Sequence, residues 1–433
     1  MSNVTFRGLR GTGDWATDER PKNYRQGILK ENPNGDTLLT GLMSKMGNES
    51  TDDPEYNWWT QNLPTQRGAV TGVYTDLALS SAYASGAVVD TVLYFKMSAD
   101  DAKEFREGHI VRAVVSAKVF ADAVGKVVGV GINGASSYVA MKFLEADDNG
   151  GGVFLANGTC DAMMVAGNAN PEGGGIPTSI KTNPTKFYNY TQIFRTPLEI
   201  TRTAQKTKLR TREAYLDAKA ECLQMHGIEM EKASWFGIKS EKTGANGQPE
   251  RTTEGIIQFL RNNAAANVVS YKYDAAYSTQ TWAAGGENWL EEQLERLFRF
   301  GSDERLAVCG SLALQAINKL AKLGGHINLA PRDSVYGLRV VEWVTPYGVI
   351  YLKRHPLFSY EATMQRGIVF IEPGNLKYRY ITDTMYKKDP GQEQGGTIGF
   401  DGKKEEFLTE AGYEFHFPLR MMYLQELGVT NIA

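Results

Sequence analysis

Cysteine and histidine are few in this chain, long apolar runs are absent, and neither sign of charge dominates. Each shortage removes a class of function. The 433 residues include three cysteines, Cys160, Cys222 and Cys309. An odd number of thiols so far apart supplies neither a disulfide framework nor a CxxC metal clamp, so they read as small buried apolar residues. The five histidines are His109, His226, His326, His355 and His416. No two stand one helical turn apart as an HExxH zinc site requires, so no metal and no cofactor is expected. No apolar stretch approaches the ~18–20 residues of a membrane span. The opening Met-Ser-Asn-Val-Thr-Phe-Arg lacks the basic and apolar parts of a signal peptide. The expectation is a soluble protein made in the cytoplasm, with no membrane partner. Lys+Arg 47 against Asp+Glu 50 leave a net charge of −3, so no chain-wide positive field exists to hold nucleic acid by counterion release.

What is present is globular: 42% hydrophobic and 22% charged residues are enough apolar matter for cores. At roughly 100–200 residues per domain the length predicts two to four compact units. Forty-five glycines and 21 tyrosines predict many turns and strands. Residues 1–67 mix Asp, Asn, Gly and Pro with isolated aromatics such as Trp15, Tyr24, Tyr56, Trp58 and Trp59, and show no sustained period. Such a segment builds no core of its own and needs a surface to lie on. A short amphipathic helix is read within it at residues 38–46.

From about residue 105 to 170 the pattern turns to period two, in Ile110–Val115, Lys126–Val130 and Tyr138–Phe143, which predicts a small β-barrel or sandwich. Inside it Gly129, Gly131 and Gly134 spell a formal GxGxxG. A dinucleotide site needs a helix to start at the third glycine. Here alternating Tyr138, Val139, Met141 and Phe143 follow, so a hairpin turn is favoured and a nucleotide-binding enzyme is kept as an alternative. Residues 171–188 read as a surface loop or hairpin leg, followed by extended Asn189–Phe194 and Leu198–Thr201.

Thr211–Phe236 is the clearest helix, with Leu216, Ala220, Leu223, Gly227, Met230 and Ser234 recurring along one face. Its acidic residues, Glu229 and Glu231 among them, read as a solvated or ion-paired face. Residues 251–410 read as an α/β region: a helix from Glu254 capped by Thr252 or Thr253, a helix Glu287–Phe300, a strand Arg305–Gly310 and a helix capped by Ser311. Glu291, Glu292 and Glu295 form an acidic cluster, taken as a solvated face. Gly310-Ser311 is followed by Leu312-Ala313, so the GxSxG of a nucleophile elbow is missing. No catalytic residue is assigned. A final strand is read at Tyr413–Tyr423.

This order of parts, with Tyr56-Asn-Trp-Trp59, Asn189-Tyr-Thr-Gln-Ile-Phe194, Glu231-Lys-Ala-Ser-Trp-Phe-Gly237 and Arg251-Thr-Thr-Glu-Gly255, resembles the Hong Kong 97-type major capsid proteins of tailed bacteriophages. The wording is similar to a podovirus-like subgroup. The resemblance implies an α+β capsid fold with an N-terminal arm (1–67), an extended loop (68–200) carrying an inserted β-domain (about 90–175), a peripheral domain with the spine helix (201–250 and 411–433) and an axial domain (251–410). It implies a non-enzymatic shell protein forming hexamers and pentamers around double-stranded DNA, held without sequence-specific binding. Its implied place is the virion, its partners are portal and, where present, scaffolding or cement proteins, and its synthesis is in the bacterial host. Trp15, Trp58 and Trp59 are the expected anchors between subunits. Lys181 and Lys186 stand where some relatives cross-link. An encapsulin-like compartment is the alternative shell.

Overall fold

The computed structural model describes residues 47–61, 64–115, 123–147, 155, 158–207, 214–324, 328–335, 338–388 and 402–433. Trp15, the short helix read at residues 38–46 and the first turn expected at 211–213 lie outside the described residues. Two compact units emerge, Trp59–Lys186 and a second made of Met1–Trp58 with Phe187–Ala433. Helices and strands are both abundant, and the class is mixed α+β.

The unit Trp59–Lys186 is built on a closed barrel. Its strands run in the order Arg67–Tyr74, Val92–Met97, Tyr138–Phe143, Ala123–Gly131, His109–Val114 and Ala162–Asn168. The last pairs with both His109–Val114 and Arg67–Tyr74, which closes the ring, so no strand is left with an unpaired edge. Alternation decides what lies inside. Leu93, Phe95 and Met97 point inward from one strand, and Val139, Met141 and Phe143 from the next, all almost fully buried. Asp147 adds a polar staple. It is buried, accepts a 2.5 Å hydrogen bond from the Tyr83 hydroxyl, and also accepts from the Leu155 amide. Burial, and then the bond to Asp147, raise the Tyr83 phenol well above its ordinary range.

The other unit carries two sheets. A seven-stranded sheet runs Val268–Ser270, Met422–Gln425, Ile368–Ile371, Glu304–Cys309, Gly348–Arg354, Leu338–Thr345, Asn328–Val335. Its centre, Glu304–Cys309, is parallel to one neighbour and antiparallel to the other. From Leu306 to Cys309 that strand is apolar on both faces because both are covered. Leu306 and Val308 join one core with Ile256, Phe259 and Trp235. Ala307 and Cys309 join another with Trp289, Leu294 and Ile317. The helices over that second face are Trp282–Phe298 and Ser311–Gly324.

A four-stranded sheet runs Asn48–Ser50, Leu376–Lys388, Gly402–Phe415, Gln192–Thr201. The long helix Ala214–Phe236 lies on it, burying Cys222, His226, Met230 and Ser234 at steps of four. The face expected from sequence is therefore half right. Met230 and Ser234 are buried, but Leu216 and Leu223 remain 44% and 47% exposed and Ala220 is exposed with them.

Three local expectations change. The strand expected at 413–423 is interrupted: it stops at Phe415, Phe417 takes a left-handed φ of 52° before Pro418, and Met422–Gln425 then enters the other sheet. Proline has no N–H to continue a ladder. Neither Thr252 nor Thr253 caps the next helix, which is Ile256–Asn263 with Gly255 at its N-cap. Ser311 is the first helical residue of its helix, and the Gly310 carbonyl accepts the first helical bond from Leu314.

Candidate functional site

The polar groups capable of chemistry converge inside the larger unit, where the long helix meets the central sheet. Glu231, one turn before Trp235 on the helix, accepts from the Trp235 indole N–H at 2.8 Å and from His355 Nε2 at 2.8 Å. His355 Nδ1 in turn accepts from the Leu357 amide at 3.2 Å. That bond assigns the ring proton to Nε2, aimed at the carboxylate. The imidazole stacks on Phe358 at 4.8 Å and meets the edge of Trp235 at 5.9 Å. Glu231 and His355 side chains are both 0% exposed. A general base must reach its substrate, and this pair faces only protein. It is a joint between helix and sheet. Of the solvated or ion-paired face expected for Glu231, the solvated half is corrected: the carboxylate is buried and paired with His355. The signal that could have found it is the shared helical face of Met230, Ser234 and Trp235.

A second joint is Asn189. Its Oδ1 accepts from the Glu254 and Tyr190 amides, both at 2.8 Å. Its amide nitrogen donates to the Tyr413 carbonyl at 2.7 Å and to Thr253 Oγ1 at 3.1 Å. One side chain thus replaces the backbone ladder at the meeting of three distant segments. Glu254 beside it is buried, and burial raises its carboxyl pKa against the pull of Lys239 at 3.6 Å.

A third group ties in the strand Asn48–Ser50. Glu49 pairs with Lys377 and Arg379, each at 2.5 Å, and Arg379 also pairs with Glu414 at 2.5 Å. Burial alone would raise Glu414, but bonds from His416 and Arg379 outweigh it and hold the carboxyl below its ordinary value.

The tryptophans on the strand Glu55–Thr60 part company. Alternation puts Tyr56 and Trp58 inward and Trp59 outward. Trp58 is 5% exposed, donates to the Phe415 carbonyl at 3.0 Å and stacks on Phe187 at 6.1 Å. It anchors its own body, and this corrects its expected place between subunits. Trp59 is 59% exposed. Lys181 and Lys186 show no acidic partner among the described residues.

The enzyme-like motifs carry no site. Gly129 and Gly131 end one barrel strand, a single 3₁₀ turn Gly134–Ser136 follows, and Tyr138 opens the next strand. A Cβ at Gly131 would meet the Tyr138 ring at 2.3 Å, so that glycine makes room for an aromatic and the turn offers no helix N-terminus to a phosphate. Gly310 likewise lets backbone approach: a Cβ there would lie 2.3 Å from the Met364 carbonyl oxygen. Among the described residues no group of three His, Cys, Asp or Glu is placed to hold a metal, and no helix is long and apolar enough to cross a membrane. In the acidic cluster, Glu295 is paired with Arg299 at 2.7 Å and Glu292 accepts from Tyr277 at 2.7 Å.

The profile described as SU10 major capsid protein matches residues 4–428. The major capsid protein of Pseudomonas phage PaMx41 is 27% identical over 263 residues, covering 58% of this chain and 58% of that protein. The chain thus spans less than two thirds of that relative's length. Among solved structures, the capsid of the native GTA particle is similar with a TM-score of 0.44 at 8% identity, covering 94% of this chain and 95% of that one. Mycobacterium phage Adephagia gives a TM-score of 0.42 at 12% identity, covering 95% and 92%.

Proposed function

From its membership of the SU10 major capsid protein family, to which the chain belongs over residues 4–428, we propose that this protein self-assembles into the hexamers and pentamers of an icosahedral phage head with a Hong Kong 97-like fold. The head encloses double-stranded DNA, and the protein's place is the virion capsid. Residues 1–67 are the arm, 68–200 the extended loop with its β insertion at about 90–175, 201–250 with 411–433 the peripheral domain, and 251–410 the axial domain. Portal, scaffolding and cement proteins are its proposed partners, and it catalyses nothing.

The observation that carries this reading, beside family membership, is the pattern of joints and exposed apolar surface. The groups that resemble catalytic pairs are sealed inside as staples. Meanwhile Leu216, Leu223 and Trp59 stay in water, although a lone chain gains nothing from their exposure. A lattice in which each copy covers its neighbours removes that cost. The net charge of −3 suits a container that must release its contents. The encapsulin alternative is not favoured, since the matching family is a phage capsid family along nearly the whole chain.

Electron microscopy of the purified protein tests the proposal. Rings or closed shells are expected. A protein that stays monomeric at high concentration, in solution conditions where the capsid of a relative assembles, would overturn it.

A further inference from the structure

The face of the seven-stranded sheet covered by two helices carries a cleft that no described residue fills. Helix Trp282–Phe298 and the hairpin joining Leu338–Thr345 to Gly348–Arg354 enclose about 170 Å³. Leu290, Leu294 and Trp343 form the floor, and Glu287, Glu291 and Tyr347 stand on the rim. The floor is almost completely buried, whereas Val344 beside it is 54% exposed. Glu287 and Glu291 are like charges one turn apart, an arrangement that costs stability unless a cation intervenes. Neither is in an ion pair among the described residues, although Glu295 and Glu292 farther along the helix have partners. The cleft is therefore apolar below and negative above.

The complement lies on the same unit. Helix Ser311–Gly324 buries Ala313, Ala316, Ile317 and Leu320 and carries Leu323, 69% exposed, one residue before its end. Lys319 and Lys322, one helical turn and one residue before that leucine, are both exposed and neither is in an ion pair among the described residues. Lys322 in the last turn agrees with the helix dipole, while the leucine beside it stays exposed. One aliphatic side chain with two ammonium groups matches an apolar floor with two carboxylates in shape and in charge.

We propose that the Lys319–Leu323 helix end of a second copy docks in the cleft between Glu287, Glu291 and Tyr347. The inference rests on the shell reading above. Each copy offers the helix end to one neighbour and the cleft to another, a head-to-tail contact of the kind that closes rings. Desolvation of Leu323 over Leu290, Leu294 and Trp343 supplies the attraction, and the Lys–Glu pairing sets orientation and rejects a slipped register.

Two measurements test it in the full-length protein. In the first, Leu323→Cys is combined with Val344→Cys; the chain's own three thiols are buried and stay out of the reaction. Oxidised particles should give a ladder of covalent multimers on a non-reducing gel, because a disulfide forms only between Cβ atoms about 3.5–4.5 Å apart. Monomers alone, from particles that have assembled, overturn the proposal. In the second, Glu291→Lys and Lys322→Glu should each lower particle yield about tenfold while the unassembled chains melt as wild type does, and the double variant should recover the yield. Normal assembly of both single variants overturns the contact. If wild-type protein forms no shell under any condition, the function proposed above falls with it; wild-type shells alongside unaffected variants reject this contact alone.

Discussion

The barrel and the larger unit, the body, are held together in different ways. In Trp59–Lys186 the strand pairings stay within about a hundred positions: Tyr138–Phe143 pairs with nearby Ala123–Gly131, and the widest closure joins Arg67–Ala69 to Ala162–Met164. In the body, the decisive bonds span most of the chain. Tyr56 donates to the Tyr413 carbonyl at 2.8 Å and Trp58 to the Phe415 carbonyl, each across 357 positions. Glu231 and His355 meet across 124. Closing long loops costs entropy before any contact repays it. The body therefore needs many specific staples, while the barrel closes on alternation with the buried Asp147 staple beside it. A buried polar group in such a body marks a structural seam more often than a catalytic centre.

The sharpest way to break this contrast is to divide the chain. Residues 59–186 alone should melt cooperatively. Residues 187–433 without 47–58 should lose cooperative melting, since two buried aromatics, each worth about 3–5 kcal/mol when removed, leave the core together. Two similar melts would end the comparison. Next in size is Glu231→Ala, which strands the His355 N–H and the Trp235 N–H in protein and should cost about 3–5 kcal/mol. Calorimetry should show it lowering the body's transition and leaving the barrel's in place.

Smaller effects come from the single polar staples. Asn189→Ala in the body and Asp147→Ala in the barrel should each cost about 1–3 kcal/mol, each in its own transition; a shift of the wrong transition would count against independent units. The smallest effect is that of pH, and it treats the two regions alike. Burial holds His226 in the body and His109 in the barrel below the ordinary histidine value, with Arg106 adding to the effect on His109. For a depressed pKa the unfolded chain binds the proton first, so stability is full above about pH 6.5 and declines as pH falls through the folded value. Both transitions should drop between about pH 7 and pH 5. His226→Gln should flatten the decline in the body alone. Below the ordinary carboxylate range, protonation of Glu414, held low by His416 and Arg379, adds a further loss confined to the body.

Legibility in the sequence followed the same division. The strand read at Tyr138–Phe143 has those bounds in the structure, the one read at 110–115 is His109–Val114, and the helix expected from Thr211 is described over Ala214–Phe236. Periodicity finds such elements because they depend on neighbours in the chain. The Gly129–Gly134 turn was legible for the same reason: a β pattern resumes directly after it. The joints were not. Nothing near Glu231 announces His355, and nothing near Asn189 announces Tyr413, since each pairing exists only after the sheets have formed. The stripe of Leu216, Ala220 and Leu223 misled for a related reason. Helical period identifies an apolar face, but it does not say whether that face is covered by the same chain or left for another.

The strand Glu55–Thr60 that leads into the barrel pairs with Thr185–Tyr190, the strand that leads out. An inserted module whose two ends emerge side by side meets the geometric condition for exchange. In evolutionary terms that pair of strands is a splice point: recombination between two related genomes at these two positions would trade one insert for another without altering a single residue of the joints at Glu231 or Asn189. The same two positions are where a foreign folded domain could be inserted in place of the barrel.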